Sequence, residues 1–282
     1  MRCATKSPLP GTMWSIHQTA RSSSGEWRVR EWYKAIYLAP HLDDAALSCG
    51  GQIYQETANR APILIVTLMA GEPPADSPLS EFARELHQRW ELARNAVRVR
   101  RAEDVVACQI LKADHLHWSV PDCVYRSDPS TGEPCYPTWE SVITTMHAAD
   151  EPVVEWLVGH LRQLPATDQI YAPLTVGNHV DHRLTRLAAE RVFGDGLVYY
   201  EDYPYAAEDG AVTAVLTPTP DYWQPTTIAL SATAVQTKID AIWAYVSQRS
   251  TFFATHEDLE TKIEAYTAQV GGERQWQRKV CA

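Results

Sequence analysis

Two short stretches hold the residues best suited to hydrolytic chemistry. The first is Pro40-His41-Leu42-Asp43-Asp44-Ala45, and the second is Gly177-Asn178-His179-Val180-Asp181-His182. His41 and Asp44 are three residues apart and converge on one point if the chain turns into a helix there. His179 and His182 have the same spacing, which puts them on one helix face. His41, Asp44 and one histidine of the second pair supply three nitrogen and oxygen ligands. Three such ligands plus a water form an open catalytic zinc site. Asp43 is then left beside the metal and unused by it, where a general base for the water belongs. Each stretch alone has a plainer explanation. An Asp pair after a strand is often a helix N-cap, and a lone histidine near a helix start is often simply hydrogen-bonded. Their occurrence together, each at the end of a predicted strand, favours the functional reading.

The positioning elements follow from hydrophobic patterning. Residues 35–39 (AIYLA) are short, apolar and β-prone, and residues 44–59 have helical character. Residues 62–70 (PILIVTLMA) form a continuous apolar run, typical of a parallel strand covered on both faces. Residues 79–111 contain no Pro or Gly and read as one long helix or two abutting ones. Further strands are expected at 114–118, 170–174 and 197–201, and another helix at 231–247. Strands alternating with helices predict an α/β fold, a Rossmann-like three-layer sandwich with a mostly parallel sheet. In such sheets ligands bind beyond the carboxyl ends of the strands, where both motifs fall. Residues 1–30 read as a flexible N-terminal extension and 31–282 as a single domain. The irregular segments 119–150 and 202–226 read as active-site loops, and Gly271-Gly272 leads into a polar tail.

Composition narrows the function classes. With 282 residues, 25 Lys and Arg against 35 Asp and Glu give a net charge of −10. A domain this acidic lacks the basic face that nucleic acid requires. The longest apolar run, 61–70, is about half the ~20 residues of a membrane span, and the first 20 residues lack the apolar core of a secretory signal. Six cysteines without a C-x-x-C spacing read as free thiols in a reducing cytoplasm. Ten Trp and 13 Tyr against four Phe offer flat faces with polar handles, suited to lining a cleft for a polar ligand. No G-x-G-x-x-G and no G-x-S-x-G is present, which counts against a dinucleotide fold and an α/β-hydrolase.

The two motifs together resemble the PIG-L/LmbE-like family of zinc-dependent N-deacetylases. That family's A-H-P-D-D-E signature corresponds to Pro40-His41-Leu42-Asp43-Asp44-Ala45, and its H-x-D-H to His179-Val180-Asp181-His182. Val66-Thr67 to Gly71-Glu72, Arg100-Arg101-Ala102-Glu103, and Lys238 with Tyr245-Val246-Ser247-Gln248 are weaker matches in the same order. Leu42 and Ala45 depart from the signature at positions that are neither ligand nor base.

The resemblance implies that His41, Asp44 and His182 bind Zn2+, or another divalent ion such as Fe2+, and that Asp43 is the general base. It implies that His179 stabilises the substrate carbonyl oxygen, with Asp181 orienting it, and that Arg100 contacts the substrate. Some members carry a tyrosine two residues before the second motif as an oxyanion donor. Gly177 stands there in this chain, leaving Tyr171, Asn178 and Tyr203 as candidates. Arg126 is a candidate for an anionic group on the aglycone. The implied reaction removes an N-acetyl group from a GlcNAc-type conjugate, a small-molecule substrate, in a cytoplasmic enzyme compatible with homo-oligomer formation. Two alternatives share the same residues: a zinc hydrolase of a different small amide or ester, and a catalytically idle sugar-binding protein. His115 and His117 alternate on one strand and read as packing histidines, because no third ligand is near them in sequence.

Overall fold

The computed structural model describes residues 16–19 (backbone only), 29–73, 79–89, 95–219 and 222–279. In chain order the elements are β1 (Ile16–Thr19), β2 (Trp32–Ala39), α1 (Asp44–Ala58), β3 (Ile63–Thr67), α2 (Glu81–Arg89), α3 (Ala96–Ile110), β4 (Asp114–Trp118), α4 (Trp139–Ile143) and α5 (Glu151–Leu161). They continue with β5 (Ala166–Pro173), α6 (Val180–Phe193), β6 (Leu197–Tyr200), α7 (Ala211–Leu216), β7 (Trp223–Ile228), α8 (Ala232–Trp243), α9 (Val246–Phe252), α10 (His256–Val270) and β8 (Glu273–Arg278).

One eight-stranded sheet has the order β1-β4-β3-β2-β5-β6-β8-β7. Its centre, β4-β3-β2-β5-β6, is parallel throughout. The outer strands β1, β8 and β7 pair antiparallel. The fold is thus α/β with a mostly parallel sheet. Along β2 the side chains alternate between the two faces. Over residues 35–39, Ile36 and Leu38 enter the core shared with α5 and α6, whereas Ala35, Tyr37 and Ala39 enter the core shared with α1, α3 and α8. This two-sided burial is why β2 and β3 read as continuous apolar runs rather than alternating ones.

From β2 the chain builds outward through β3 and β4, then returns to the other side of β2 as β5 and β6. The order therefore reverses between β2 and β5. Loops leaving the carboxyl ends of two such neighbours diverge and open a crevice between them. The first motif lies in the loop after β2 and the second in the loop after β5.

Three elements differ from the sequence-based expectation. Residues 16–19, within the expected extension, form β1 against β4. Residues 1–15 and 20–28 of that extension lie outside the described residues. The expected polar tail contains β8, whose alternating Glu273, Gln275 and outward partners form a polar strand with no apolar run to announce it. The 231–247 helix divides into α8 and α9, with Ala244 and Tyr245 between them. No helix among the described residues is long and apolar enough to cross a membrane.

Candidate active site

The β2–α1 turn is tightly wound. Asp43 has φ 132°, in the region L-residues rarely adopt. Its carbonyl accepts the Leu47 N–H at 2.9 Å and so starts α1, but its side chain makes no capping bond. The N-cap explanation of the Asp pair therefore fails for Asp43, whose carboxylate faces the cleft instead. Asp44 turns back on the same loop, and its Oδ2 accepts the His41 backbone N–H at 2.7 Å. In the β5–α6 loop, Thr175 (φ 70°), Gly177 (φ 84°) and Asn178 (φ 58°) also have left-handed backbones. Backbone strain of this kind collects where a side chain must be aimed.

The two loops bring the predicted side chains together. Asp44 Oδ2 lies 3.3 Å from His41 Nδ1 and 3.4 Å from His182 Nε2. Donor atoms of His41, His179 and His182 all lie within 4.8 Å of one another. The other ring nitrogen of each flanking histidine is already held. His41 Nε2–H donates to Asp181 Oδ2 at 3.0 Å, and His182 Nδ1–H donates to Asp202 Oδ1 at 2.6 Å. These bonds engage the far nitrogens and turn His41 Nδ1 and His182 Nε2 toward Asp44, where a bound cation would displace the protons the carboxylates attract. Carboxylate–histidine–metal triads are built in this way. His41, Asp44 and His182 therefore fit a divalent metal ion, and the donor set suits an N/O-loving one.

The charge balance agrees. Burial disfavours a charged His41, but the surrounding Asp122, Asp181 and Asp44 carboxylates win and raise its pKa well above normal. Burial and the Asp44 charge together raise Asp43 to about 7, against the pull of Arg100. Burial and then the charge on His41 hold His179 well below the usual range, so its ring is neutral.

His179 is the N-cap of α6, and its Nδ1 accepts the Asp181 backbone N–H at 3.2 Å. A neutral ring accepting at Nδ1 carries its proton on Nε2. Nε2–H then faces only the weak acceptor Cys123 Sγ at 4.0 Å and can donate to a ligand instead. Asp181 donates its backbone N–H to His179, and its carboxylate lies within 4.8 Å of a His179 nitrogen. That carboxylate, fully buried, is also held by His41, by the Cys123 N–H at 2.9 Å and by Arg126 at 2.7 Å, so Asp181 positions His41 as well.

The site opens into a cleft of about 510 Å³. Arg100 lines it, 3.9 Å from Asp43 and 4.0 Å from Asp122. Two other candidates for substrate contact lie elsewhere. Arg126 is neither a surface residue nor in the cleft, being buried in ion pairs with Asp150 (2.9 Å) and Asp181. The side-chain amide of Asn178 donates to the Ile143 carbonyl. Cys49, Cys108, Cys123 and Cys135 are free, buried thiols, and Cys3 and Cys281 lie outside the described residues.

Three further groups lie in the segments read as active-site loops, where the residue pattern assigns them no individual role. Asp122 lines the cleft 3.8 Å from His41 Nε2, Asp202 holds His182, and Tyr205 lines the cleft beside the motif residues. Asp122 follows β4 and Asp202 follows β6. The strand-end rule that found the two motifs, applied to those strands as well, would have flagged both.

Comparison with known proteins agrees with this geometry. Residues 36–193 match the profile of the PIG-L family, GlcNAc-PI de-N-acetylase. A 2'-N-acetylparomamine deacetylase of Streptomyces fradiae is 28% identical over 191 residues, 64% of this chain and 60% of the relative, so the match spans less than two thirds of that protein. The zinc-inhibited form of a teicoplanin deacetylase is similar in structure, with a TM-score of 0.74 at 25% identity over 88% of this chain and 99% of that one. The A40926 pseudoaglycone deacetylase follows with a TM-score of 0.64 at 27% identity, over 89% of this chain and 98% of that one. With its profile matched from the second strand through the helix that carries His182, the chain belongs to the PIG-L family.

Proposed function

We propose that this chain is a zinc-dependent N-deacetylase that hydrolyses the acetamide of an N-acetylated amino-sugar conjugate to acetate and the free amine. One observation carries the reading. Two histidines, each held at one nitrogen by a carboxylate, turn their other nitrogens toward Asp44, with the uncommitted Asp43 carboxylate alongside in an open cleft. His41 Nδ1, His182 Nε2 and Asp44 would hold the ion. Bound there, a divalent ion acidifies water and polarises a carbonyl. Asp43 takes a proton from the attacking water and returns it to the leaving nitrogen as the C–N bond breaks. A carboxyl group whose pKa stands near 7 suits both halves of that transfer. His179 Nε2–H donates to the carbonyl oxygen as negative charge develops on it. Arg100, between Asp43 and Asp122, offsets the mutual repulsion of their carboxylates and lines the cleft where a substrate would lie.

The cleft suits a sugar with an apolar attachment. Trp139 is 47% exposed and its ring centroid is 6.0 Å from that of His179, a flat face within reach of a pyranose at the reacting end. Leu86, Val142 and Phe252 continue an apolar wall, with Arg89 at its edge. The names of the similar proteins, deacetylases of an aminoglycoside precursor and of glycopeptide compounds, support the same substrate class.

The test is acetate release by the zinc-loaded chain from N-acetylglucosamine conjugates, N-acetylated aminoglycosides and N-acetylglucosaminyl glycopeptides, with and without a chelator. Release that the chelator stops is expected. Asp43→Asn should retain the metal and lose about 10²–10⁴-fold in turnover. A zinc-loaded chain that frees acetate from none of these conjugates overturns the reading.

A further inference from the structure

Gly177 stands two residues before His179 with φ 84°. A Cβ at Gly177 would lie 2.6, 2.9 and 3.0 Å from Cγ, Cδ1 and Cβ of Tyr205. The Tyr205 ring therefore rests on bare backbone in the loop that carries His179. Only a residue without a side chain permits so close an approach. Tyr205 comes from a different segment, after β6, yet it lines the cleft with His41, Asp43, Asp44, His179 and His182.

Its hydroxyl has no hydrogen-bond partner among the described residues. The neighbouring tyrosines are otherwise engaged. Tyr171 accepts from Gln52 at 3.0 Å and stacks on Tyr37, and Tyr200 donates to the Leu38 carbonyl at 2.9 Å. Tyr203 lines the cleft, but the charge acting on its hydroxyl is that of Asp258. Burial and then the charges of Asp44 and Asp43 act on Tyr205, raising its pKa so that it keeps its proton. Half-buried at the cleft wall, this hydroxyl is uncommitted to the protein and can donate to a ligand that replaces water there.

We propose, resting on the deacetylase reading, that the Tyr205 hydroxyl donates a hydrogen bond to the acetamide carbonyl oxygen, and that Gly177 exists to let it reach. As the water oxygen bonds to the carbonyl carbon, the C=O π pair moves onto oxygen. Tyr205 O–H and His179 Nε2–H both point donors at that charge. Tyr205 transfers no proton. The proton on the leaving amine comes through Asp43, and acetate and amine are the products. Tyr205 is on this account a catalytic residue.

Tyr205→Phe keeps the ring on Gly177 and removes only the hydroxyl. In the zinc-loaded full chain, kcat for acetate release should fall about 10²–10³-fold, with KM changed by less than about twofold. Affinity for a glucosamine methylphosphonamidate, a tetrahedral mimic, should weaken by about tenfold or more by calorimetry, while affinity for glucosamine stays unchanged. Bound zinc per chain should match the wild type. Gly177→Ala, which displaces the ring, should lose activity in parallel. The double variant should fall no further than the lower single variant, because both changes break one contact. If the wild type releases acetate and Tyr205→Phe keeps kcat within about threefold, the role of Tyr205 is overturned and the deacetylase reading stands. If the zinc-loaded wild type releases no acetate, both fall together.

Discussion

Among the described residues, two buried clusters of histidine and aspartate differ in which of their atoms are left to meet a ligand. The first surrounds Asp44 at the ends of β2 and β5. The second surrounds Asp104 of α3. There, Asp104 Oδ2 lies 2.7 Å from His117 Nε2, and Oδ1 accepts the Tyr245 hydroxyl at 2.7 Å. His115 sits beside His117 with ring centroids 5.3 Å apart, and Cys108 completes the surround. Residue types and burial are nearly the same in both. In the second cluster each carboxylate oxygen has its own donor, and none of these residues lines the cleft. In the first, His41 and His182 each have a carboxylate at the far nitrogen, and their near ones share a single oxygen of Asp44. A closed set of polar partners stabilises a fold, whereas an active site leaves some lone pairs and donors for a visitor.

Substitutions in the two clusters should separate sharply. Asp44→Ala removes the oxygen between the two histidines, so bound metal and turnover should both fall to background, read by elemental analysis and acetate release. Retention of a full metal equivalent would break the ligand assignment. His179→Ala should keep the metal and lose about 10²–10³-fold in kcat. If the ion leaves with it, His179 is a ligand rather than an oxyanion donor. Asp202→Asn should weaken metal affinity by about 10–100-fold through His182, measured by competition with a chromogenic chelator. Unaltered affinity would remove Asp202 from that role.

Asp104→Asn should leave metal content and kcat unchanged and cost about 1.5–3 kcal/mol of stability at pH 7, read by denaturant unfolding. Its pH dependence has a definite sign. Burial works against ionised Asp104, but the His117 and Tyr245 hydrogen bonds prevail and lower its folded pKa. The stabilisation is therefore complete above the ordinary aspartate value and fades as pH falls through the folded one. The gap between wild type and variant should be wide at pH 7 and should narrow in acid below about pH 4. A constant gap would mean that the carboxylate charge plays no part.

Much of the fold was legible because its parallel strands are covered on both sides. β3 and β4 announce themselves as Ile63–Thr67 and Asp114–Trp118, close to where patterning puts them. β8 was not legible, since its ERQWQR sequence owes its strand state to neighbours β6 and β7 rather than to its own apolar residues. Within the site, His41, Asp44, His179 and His182 could be read because they sit at fixed spacing beside strand ends. The strand-end rule reaches Asp202 but not its task, which depends on the imidazole of His182, and the packing of Tyr205 depends on the bare backbone of Gly177. Arg126 shows the same limit in reverse. Its position in an aromatic, irregular segment suggests a ligand contact, while its partners Asp150 and Asp181 are visible only in three dimensions.

That Arg126 pairing reaches beyond the residues it joins. Arg126 and Asp150 bracket residues 127–149 like the two posts of a gate, and Arg126 is tied in turn through Asp181 to His41. Because the ends of the span are already fastened together, lengthening its exposed part, 127–134, adds little loop-closure entropy, whereas Tyr136 and Val142 are buried and anchor the rest. Trp139 and Val142 lie on that stretch and form part of the cleft wall. The chain thus carries a variable rim on a fixed frame, and changing its exposed residues beside Trp139 is the direct route to altering what the cleft admits.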